Sequence, residues 1–192
     1  MRRMMAMACA AALLVGWTGK GHAAMEEIAD ACPGSKSVCI WRRPVVAPPP
    51  GWQRADNAST HYQASAFAPV GQDFNTAPAV MYAKAVAASA QAKTLADFMA
   101  GDLADFRRQY PGLRVQHSLA TRDGDGRGLA TVRLSPAPGG KAQWQTIAYG
   151  QEGRDYLVFS LSARDQAAHD AALPAFTRMV GGYHAAAAAK GH

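Results

Sequence analysis

The most restrictive feature of the sequence is a series of strand-like segments in its second half, at residues 113–121, 128–134, 143–149 and 156–163. In the first segment every second residue falls on one face, the period of two expected of a β-strand: Leu113, Val115, His117 and Leu119. The links between the segments are short and rich in glycine. Links of this kind join antiparallel strands, so the sequence predicts an antiparallel meander.

A helix is predicted before the meander because the spacing of apolar residues changes to three, four and seven. The residues that share this helical face are Leu95, Phe98, Met99, Leu103, Phe106 and Tyr110. Thr94 is the expected N-cap with Asp97 three positions later, and the Pro-Gly step at 111–112 ends the helix. Two further strands are predicted upstream, at residues 62–67 and 79–86.

A second helix is predicted after the meander, over residues 166–183. Its apolar face is formed by Leu173, Phe176, Val180 and Tyr183. Pro174 is unfavourable in a helix interior, so the regular helix is expected to start near it or to bend there. We expect both helices to pack on the sheet, one of them on Leu157, Phe159 and Leu161. Phe106 is expected to be well buried.

The N-terminus has the pattern of a secretory signal peptide. Arg2 and Arg3 precede an apolar run at residues 6–17, and small residues follow to position 24. The run is too short to span a bilayer, which takes about 20 residues. The alternative is an N-terminal helix of the folded domain. Cleavage near Ala24 would place the mature protein in the periplasm or outside the cell, with no integral membrane span in the remaining chain.

Removal of this segment changes the charge balance. The mature chain keeps 17 of 20 basic residues and all 14 acidic ones, so its net charge falls from +6 to +3. A mild positive charge gives little support for a nucleic-acid partner, and none is predicted.

Residues 25–50 are predicted to form an N-terminal arm, with a short helix at 25–31, a strand at 38–41 and a proline-rich connector. Three successive prolines at 48–50 favour an extended, stiff chain. A ligand for a proline-binding partner is the alternative. A single α+β domain is expected at residues 51–184, followed by a disordered alanine-rich tail at 185–192.

Cys32 and Cys39 are the two cysteines of the mature chain, and an even pair in an exported protein predicts a disulfide. Two alternatives are open. The first is a redox-active pair, but such pairs usually have two intervening residues and this pair has six. The second is a zinc site, which needs two more ligands, and the nearest histidine is His61.

Three further groups of residues have a functional and a structural interpretation. The Asp-Gly-Asp-Gly run at 123–126 resembles part of a calcium loop, but Arg127 stands where another oxygen ligand is needed, which favours a hairpin turn. Asp165 and His169 are spaced for a metal, but two ligands do not make a site, which favours an exposed ion pair. An arginine group can form a basic patch for lipid, glycan or protein: Arg107, Arg108, Arg114, Arg122, Arg127 and Arg133.

The sequence contains no Gly-x-Ser-x-Gly elbow and no glycine loop leading from a strand into a helix, so no catalytic, cofactor-binding or metal-ligating residue is predicted. His117 is expected to be half-buried on its strand.

Four short stretches resemble the PsbP/Mog1/DcrB-like superfamily: Pro-Pro-Gly-Trp at 49–52, Leu-Ala-Asp-Phe at 95–98, the strand at 156–163 and Leu-Pro-Ala-Phe at 173–176. The resemblance covers residues 51–183. It implies an α+β fold in which helices flank a mostly antiparallel sheet in α/β/α layers, and a binding or accessory role without enzymatic activity.

The sequence therefore predicts an exported, non-catalytic accessory or binding protein without a cofactor, whose partner is another envelope protein or a small ligand. The alternative is an envelope enzyme whose site is assembled from dispersed residues.

Overall fold

The computed structural model describes residues 25–31 and 36–185. In chain order the elements are β1 (Met25–Ala31), β2 (Val38–Pro44), β3 (Trp52–Arg54), α1 (Asp56–Tyr62), β4 (Ser65–Pro69), β5 (Ala79–Ala87), α2 (Leu95–Gln109), β6 (Arg114–Arg122), β7 (Gly128–Ser135), β8 (Trp144–Glu152), β9 (Asp155–Ala163) and α3 (Gln166–Gly181). Seven strands form one antiparallel sheet in the order β3-β4-β5-β9-β8-β7-β6. The predicted meander is confirmed as β6 to β9.

One face of the sheet is covered by α3. Residues at alternate positions of β9, Leu157, Phe159 and Leu161, lie in one buried cluster with Phe176 and Val180 of α3. This confirms the predicted receiving strand. Asp165 caps the helix by accepting from Ala168 N at 2.8 Å, so α3 begins well before Pro174 and continues through it.

The opposite face carries α2. Leu103 packs on Val132 and Ile147, with Phe98 and Phe106 partly buried beside it. The predicted cap is present and reciprocal, since Asp97 N donates to Thr94 Oγ1 and Thr94 N donates to the Asp97 carboxylate, both at 3.1 Å. Helices on both faces of an antiparallel sheet confirm the α+β fold in α/β/α layers.

The N-terminal arm is a hairpin, and the predicted helix at 25–31 is wrong. These residues form β1, which pairs with β2 along its length. Cross-strand charge pairs outweigh the helical preference of the segment, since Glu26 lies opposite Arg43 with 2.8 Å between carboxylate and guanidinium. The predicted strand at 38–41 is confirmed as part of β2. Cys32 and the predicted signal peptide lie outside the described residues, so the disulfide and the cleavage stay predictions.

The arm packs on the domain. Val46 is buried in the cluster beneath α3, and Met25 packs against that cluster. Arg42 forms an ion pair with the buried Asp155, and Ser65 Oγ donates to Pro44 O at 2.7 Å.

The strand predicted at 62–67 starts too early. Residues 56–62 form α1, which ends at Gln63 in a left-handed conformation with φ of 51°, and β4 follows at Ser65. Asp56 in the first turn and His61 in the last complement the helix dipole.

Candidate ligand-binding groove

The face of the sheet under α2 is only partly covered. α2 packs over β7 and β8, and between α2 and the segment around α1 a groove of about 790 Å³ opens over β5 and β9. We call it the α2 groove. Its floor consists of Val80, Tyr82, Lys84, Val86, Gln145, Ile147, Val158, Ser160 and Ser162. Its walls consist of Tyr62, Ala64, Phe74, Asn75, Phe98, Asp102, Phe106, Gln109, Tyr110 and Gln143.

The strand register arranges the floor of the groove in cross-strand rows. The three rows are Val80-Ser162-Gln145, Tyr82-Ser160-Ile147 and Lys84-Val158-Tyr149. Neighbouring rows are two residues apart, about 7 Å along a strand, so these three rows extend over about 13 Å, and Val86 continues the floor beyond Lys84. The groove therefore has a polar end at Gln145 and Ser162 and a charged end at Lys84.

The α2 helix runs along the groove. Phe98 stacks on Tyr156 with ring centroids 4.8 Å apart, and its edge faces Tyr149 at 6.2 Å, which places it at the Lys84 end. Phe106 lies about 12 Å further along the helix axis, at the Gln145 end. The two phenylalanine rings thus form the wall on this side.

Asp102 brings a carboxylate into the groove. It is half-buried, and the buried Tyr149 donates its hydroxyl hydrogen to Asp102 Oδ2. Loss of solvent raises the pKa of Asp102 above its ordinary value, while the Tyr149 hydrogen bond lowers it by less. Burial and the neighbouring carboxylate raise the pKa of Tyr149 in turn, so the phenol stays protonated and donates.

Lys84 lines the same groove, in the row of Val158 and Tyr149. It is half-buried, and in the described part of the chain no carboxylate oxygen lies within 4.0 Å of its ammonium group. The two groups still interact, since the Lys84 charge lowers the pKa of Asp102. The charged end thus presents a cation and an anion that do not touch.

Two buried polar atoms in the floor lack a well-formed hydrogen bond: Gln145 Oε1 and Ser160 Oγ. Gln145 is 8% exposed and Ser160 is 0% exposed. Tyr82 lies directly opposite Ser160 in the sheet. Burial raises the pKa of the Tyr82 phenol, and the nearby Ser160 side chain lowers this pKa by less. The contact falls short of full hydrogen-bond geometry at Ser160 Oγ. A buried amide oxygen without a partner costs free energy, which a donor on a ligand can recover.

A second cavity, of about 280 Å³, lies where α2 turns into β6. Lys141 is its only charged lining residue among those described. The α2 groove is larger and combines charge with buried unpartnered atoms, so it is the candidate site.

The structure places the Asp-Gly-Asp-Gly run in the turn between β6 and β7, as predicted. Asp123 accepts from the backbone N–H of Asp125 at 3.1 Å and of Arg127 at 2.9 Å, and from Arg127 Nε at 2.7 Å. The carboxylate that resembled a calcium ligand is therefore engaged in stabilising the turn.

This turn also binds the chain after α3. Gly124 N donates to Tyr183 O at 2.7 Å, and Asp125 accepts from Ala185 N at 2.8 Å and contacts His184 Nδ1 at 2.9 Å. A Cβ at Gly124 would lie 2.8 Å from the backbone oxygen of Tyr183, so the close approach requires glycine. Ala185, the first residue of the tail that was predicted to be disordered, is thus hydrogen-bonded to Asp125. Residues 186–192 lie outside the described residues.

The predicted ion pair of His169 with Asp165 is wrong. Asp165 is the N-cap of α3, and His169 is fully buried, with Nε2 at 2.8 Å from Thr146 Oγ1 and Nδ1 at 2.9 Å from Asp170. His169 lies on the apolar face of α3, and this face packs on the sheet. His117, expected to be half-buried, is exposed on the edge strand β6.

The arginine group does not form one patch. Arg127 is bound to Asp123, and Arg133 pairs with Asp170 at 2.7 Å on the α3 side of the sheet. Arg107 and Arg108 belong to α2 on the opposite side.

The α2 groove was missed in the sequence, although one signal was present. Asp102 lies four residues after Phe98 and four before Phe106, which places a carboxylate on the apolar face of an amphipathic helix. Most of the other groove residues come from separate strands, from α1 and from connecting segments, and only the tertiary structure brings them together. Within residues 25–31 and 36–185, no group of three or more His, Cys, Asp or Glu side chains is arranged to hold a metal. Within the same ranges, no helix is both long and apolar enough to cross a membrane.

No protein-family model matches the sequence, and no curated protein sequence matches it. The chain is similar in structure to cyanobacterial PsbP (CyanoP) from Synechocystis sp. PCC 6803, with a TM-score of 0.44 and 15% sequence identity, over 90% of this chain and 98% of that one. PsbP is one of the proteins after which the superfamily of the sequence resemblance is named. The likeness is one of backbone course, and the chemistry of the α2 groove rests on this chain's own side chains.

Proposed function

We propose that this chain is an exported, non-catalytic binding protein that takes a small organic molecule into the α2 groove. Export is supported by the basic, apolar and small-residue pattern of residues 1–24. Binding is supported by a groove of about 790 Å³, within the range of known small-molecule sites.

The observation that carries the proposal is the buried, unpartnered Gln145 Oε1 in the floor of an aromatic-lined groove. A groove that combines aromatic side chains with a few buried polar atoms has features of a ligand site. Ser160 Oγ adds a second such atom in the middle row.

The residues that line the groove favour binding over catalysis. Among those described there is no histidine, cysteine or arginine. Ser160 has no base beside it that could activate its hydroxyl, and the Asp102 carboxylate is already bound by Tyr149. An enzyme assembled from dispersed residues stays the alternative, with Asp102 as the one carboxylic acid among the described groove residues.

The proposal is tested with an aromatic fluorescent probe, 8-anilinonaphthalene-1-sulfonate, and two matched tryptophan variants. Val80→Trp places a large ring on the floor of the groove, whereas Val70→Trp places it in a turn where Val70 is 64% exposed. We expect Val80→Trp to abolish the fluorescence increase that the wild type and Val70→Trp both give.

Circular dichroism and thermal unfolding of both variants verify that they are folded. If folded Val80→Trp protein binds the probe as the wild type does, the α2 groove is not the binding site. Turnover of a panel of ester and amide substrates that Asp102→Asn abolishes would favour the enzyme instead.

A further inference from the structure

The charged end of the α2 groove carries two opposite charges that are held apart. Lys84 and Asp102 are both half-buried and both line the groove. No ion pair within 4.0 Å joins them in the described structure. Buried charges are expected to be paired, so each of these groups has interaction capacity left for a ligand.

Their separation follows from the sheet. Lys84, Val158 and Tyr149 are neighbours in one row across three strands, so the first and the last are about 10 Å apart at the backbone. Asp102 accepts the hydroxyl hydrogen of Tyr149, the residue at the opposite end of this row from Lys84. Val158 is the floor residue between the two ends of this row.

Aromatic and apolar side chains surround Val158, with the Ser160 hydroxyl among them. Phe98 lies beside Tyr149 on the α2 wall, and Tyr82 and Ile147 form the next row of the floor. An apolar group attached to a dipolar head would rest on Val158 and Ile147 and extend toward Phe106.

We infer that the α2 groove recognises a zwitterionic molecule with an apolar body, of the α-amino acid type. Its carboxylate pairs with Lys84, its ammonium pairs with Asp102, and its apolar body lies between the floor and the two phenylalanine rings of α2. The inference rests on the proposed function and names the ligand class for the same groove. A molecule with a single charge leaves one of the two groups without a partner.

The test uses three probes that share a phenyl ring and differ in charge: L-phenylalanine, the anion 3-phenylpropanoate and the cation 2-phenylethylamine. Isothermal titration calorimetry measures the affinity of the exported chain for each. We expect L-phenylalanine to bind about tenfold or more tightly than either analogue, because each charged contact that is lost weakens binding by about this factor.

Two variants assign the charges. Lys84→Met is expected to remove the protein's preference for L-phenylalanine over 2-phenylethylamine. Asp102→Asn is expected to remove its preference for L-phenylalanine over 3-phenylpropanoate. Asparagine keeps an oxygen that accepts from Tyr149, so the wall of the groove is preserved. Lys141→Met, at an exposed lysine outside the groove, is the control and leaves all three affinities unchanged.

Equal affinities for the three probes, or preferences that persist in folded Lys84→Met and Asp102→Asn proteins, would overturn the inference. So would the absence of L-phenylalanine binding while the fluorescent probe still binds and Val80→Trp blocks it. In that last case the groove remains a binding site and only the ligand class is wrong. If Val80→Trp leaves the fluorescent probe bound, the proposed function itself fails.

Discussion

Phe106 and Phe176 are both on apolar helix faces, but the sheet buries them to different extents. Phe176 is 1% exposed in the cluster beneath α3, whereas Phe106 is half-buried on the wall of the α2 groove. The expectation that Phe106 is well buried is therefore wrong. The reason is geometric, since α2 packs mainly over β7 and β8, contacts β9 at Tyr156 and Val158, and leaves the rest of the groove floor open.

Phe176→Ala is expected to lower the free energy of unfolding by about 3–5 kcal/mol, because the surrounding core cannot collapse into the cavity. Phe106→Ala is expected to cost clearly less, because part of the Phe106 ring already faces the open groove. Urea denaturation followed by circular dichroism measures both. Equal losses would contradict the assignment of Phe106 to the edge of the core.

His169 makes the stability of the fold depend on pH. Burial holds its pKa below the ordinary value of 6.5, and the Asp170 hydrogen bond raises it by less. Below about pH 6.5 the unfolded chain therefore binds a proton that the folded chain excludes. The stability from neutral His169 is complete above this pH and is lost as the pH falls below it.

We expect the free energy of unfolding to fall between pH 7.5 and pH 5.5, and His169→Gln to make this fall shallower. The exposed His117 supplies the control, since His117→Gln removes a histidine without a buried environment. Denaturant unfolding at several pH values measures the slopes. The same slope in wild-type and His169→Gln proteins would show that His169 is not the responsible group.

At the scale of elements, the β1–β2 hairpin is held by cross-strand pairs, and we expect a Cys32–Cys39 disulfide to add to them. Cys39 lies in β2, in a strand whose outer residues are exposed. Closing so short a loop contributes about 2–3 kcal/mol in the chain-entropy estimate. The bridge is therefore expected to order the arm more than the domain.

The disulfide is tested by alkylation and intact mass of the exported chain. We expect no alkylated thiol before reduction and two after it. The same spectrum shows whether the residues up to about Ala24 have been removed. Two alkylated thiols in the unreduced, exported protein would exclude the bridge.

At the scale of the molecule, the boundary of the domain is tested by a shortened chain that begins at Pro49. The predicted domain starts at residue 51, but Val46 is 5% exposed within the core cluster and Arg42 pairs with the buried Asp155. We expect the shortened chain to fold with a lower melting temperature than the chain that begins at Met25.

The control is Arg42→Ala in the longer chain, which removes one of these contacts and is expected to account for part of the loss. Circular dichroism gives both the fold and the melting temperature. An unfolded shortened chain would show that the arm belongs to the domain, and unchanged stability would show that its contacts contribute nothing.

The sequence by itself determined the layered α+β fold. Periods of two and 3.6 are local, so the meander, α2 with its Thr94 cap and α3 were predicted close to their observed bounds. The turn at 123–126 was predictable for the same reason, because Asp and Gly set its backbone locally. The β1 strand was not, since a segment with helical preference becomes a strand only through its partner.

Only the tertiary structure decided where the α2 groove lies. Lys84, Ser160 and Gln145 come from three strands, and hydrogen-bond register between distant segments makes them neighbours of Asp102. The packing of α3 on the sheet likewise decides that His169 is buried. It also decides that residues 183–185 bind to the 123–126 turn. Side-chain pattern specifies each element, whereas the position of α2 over one half of the sheet leaves the other half open to a ligand.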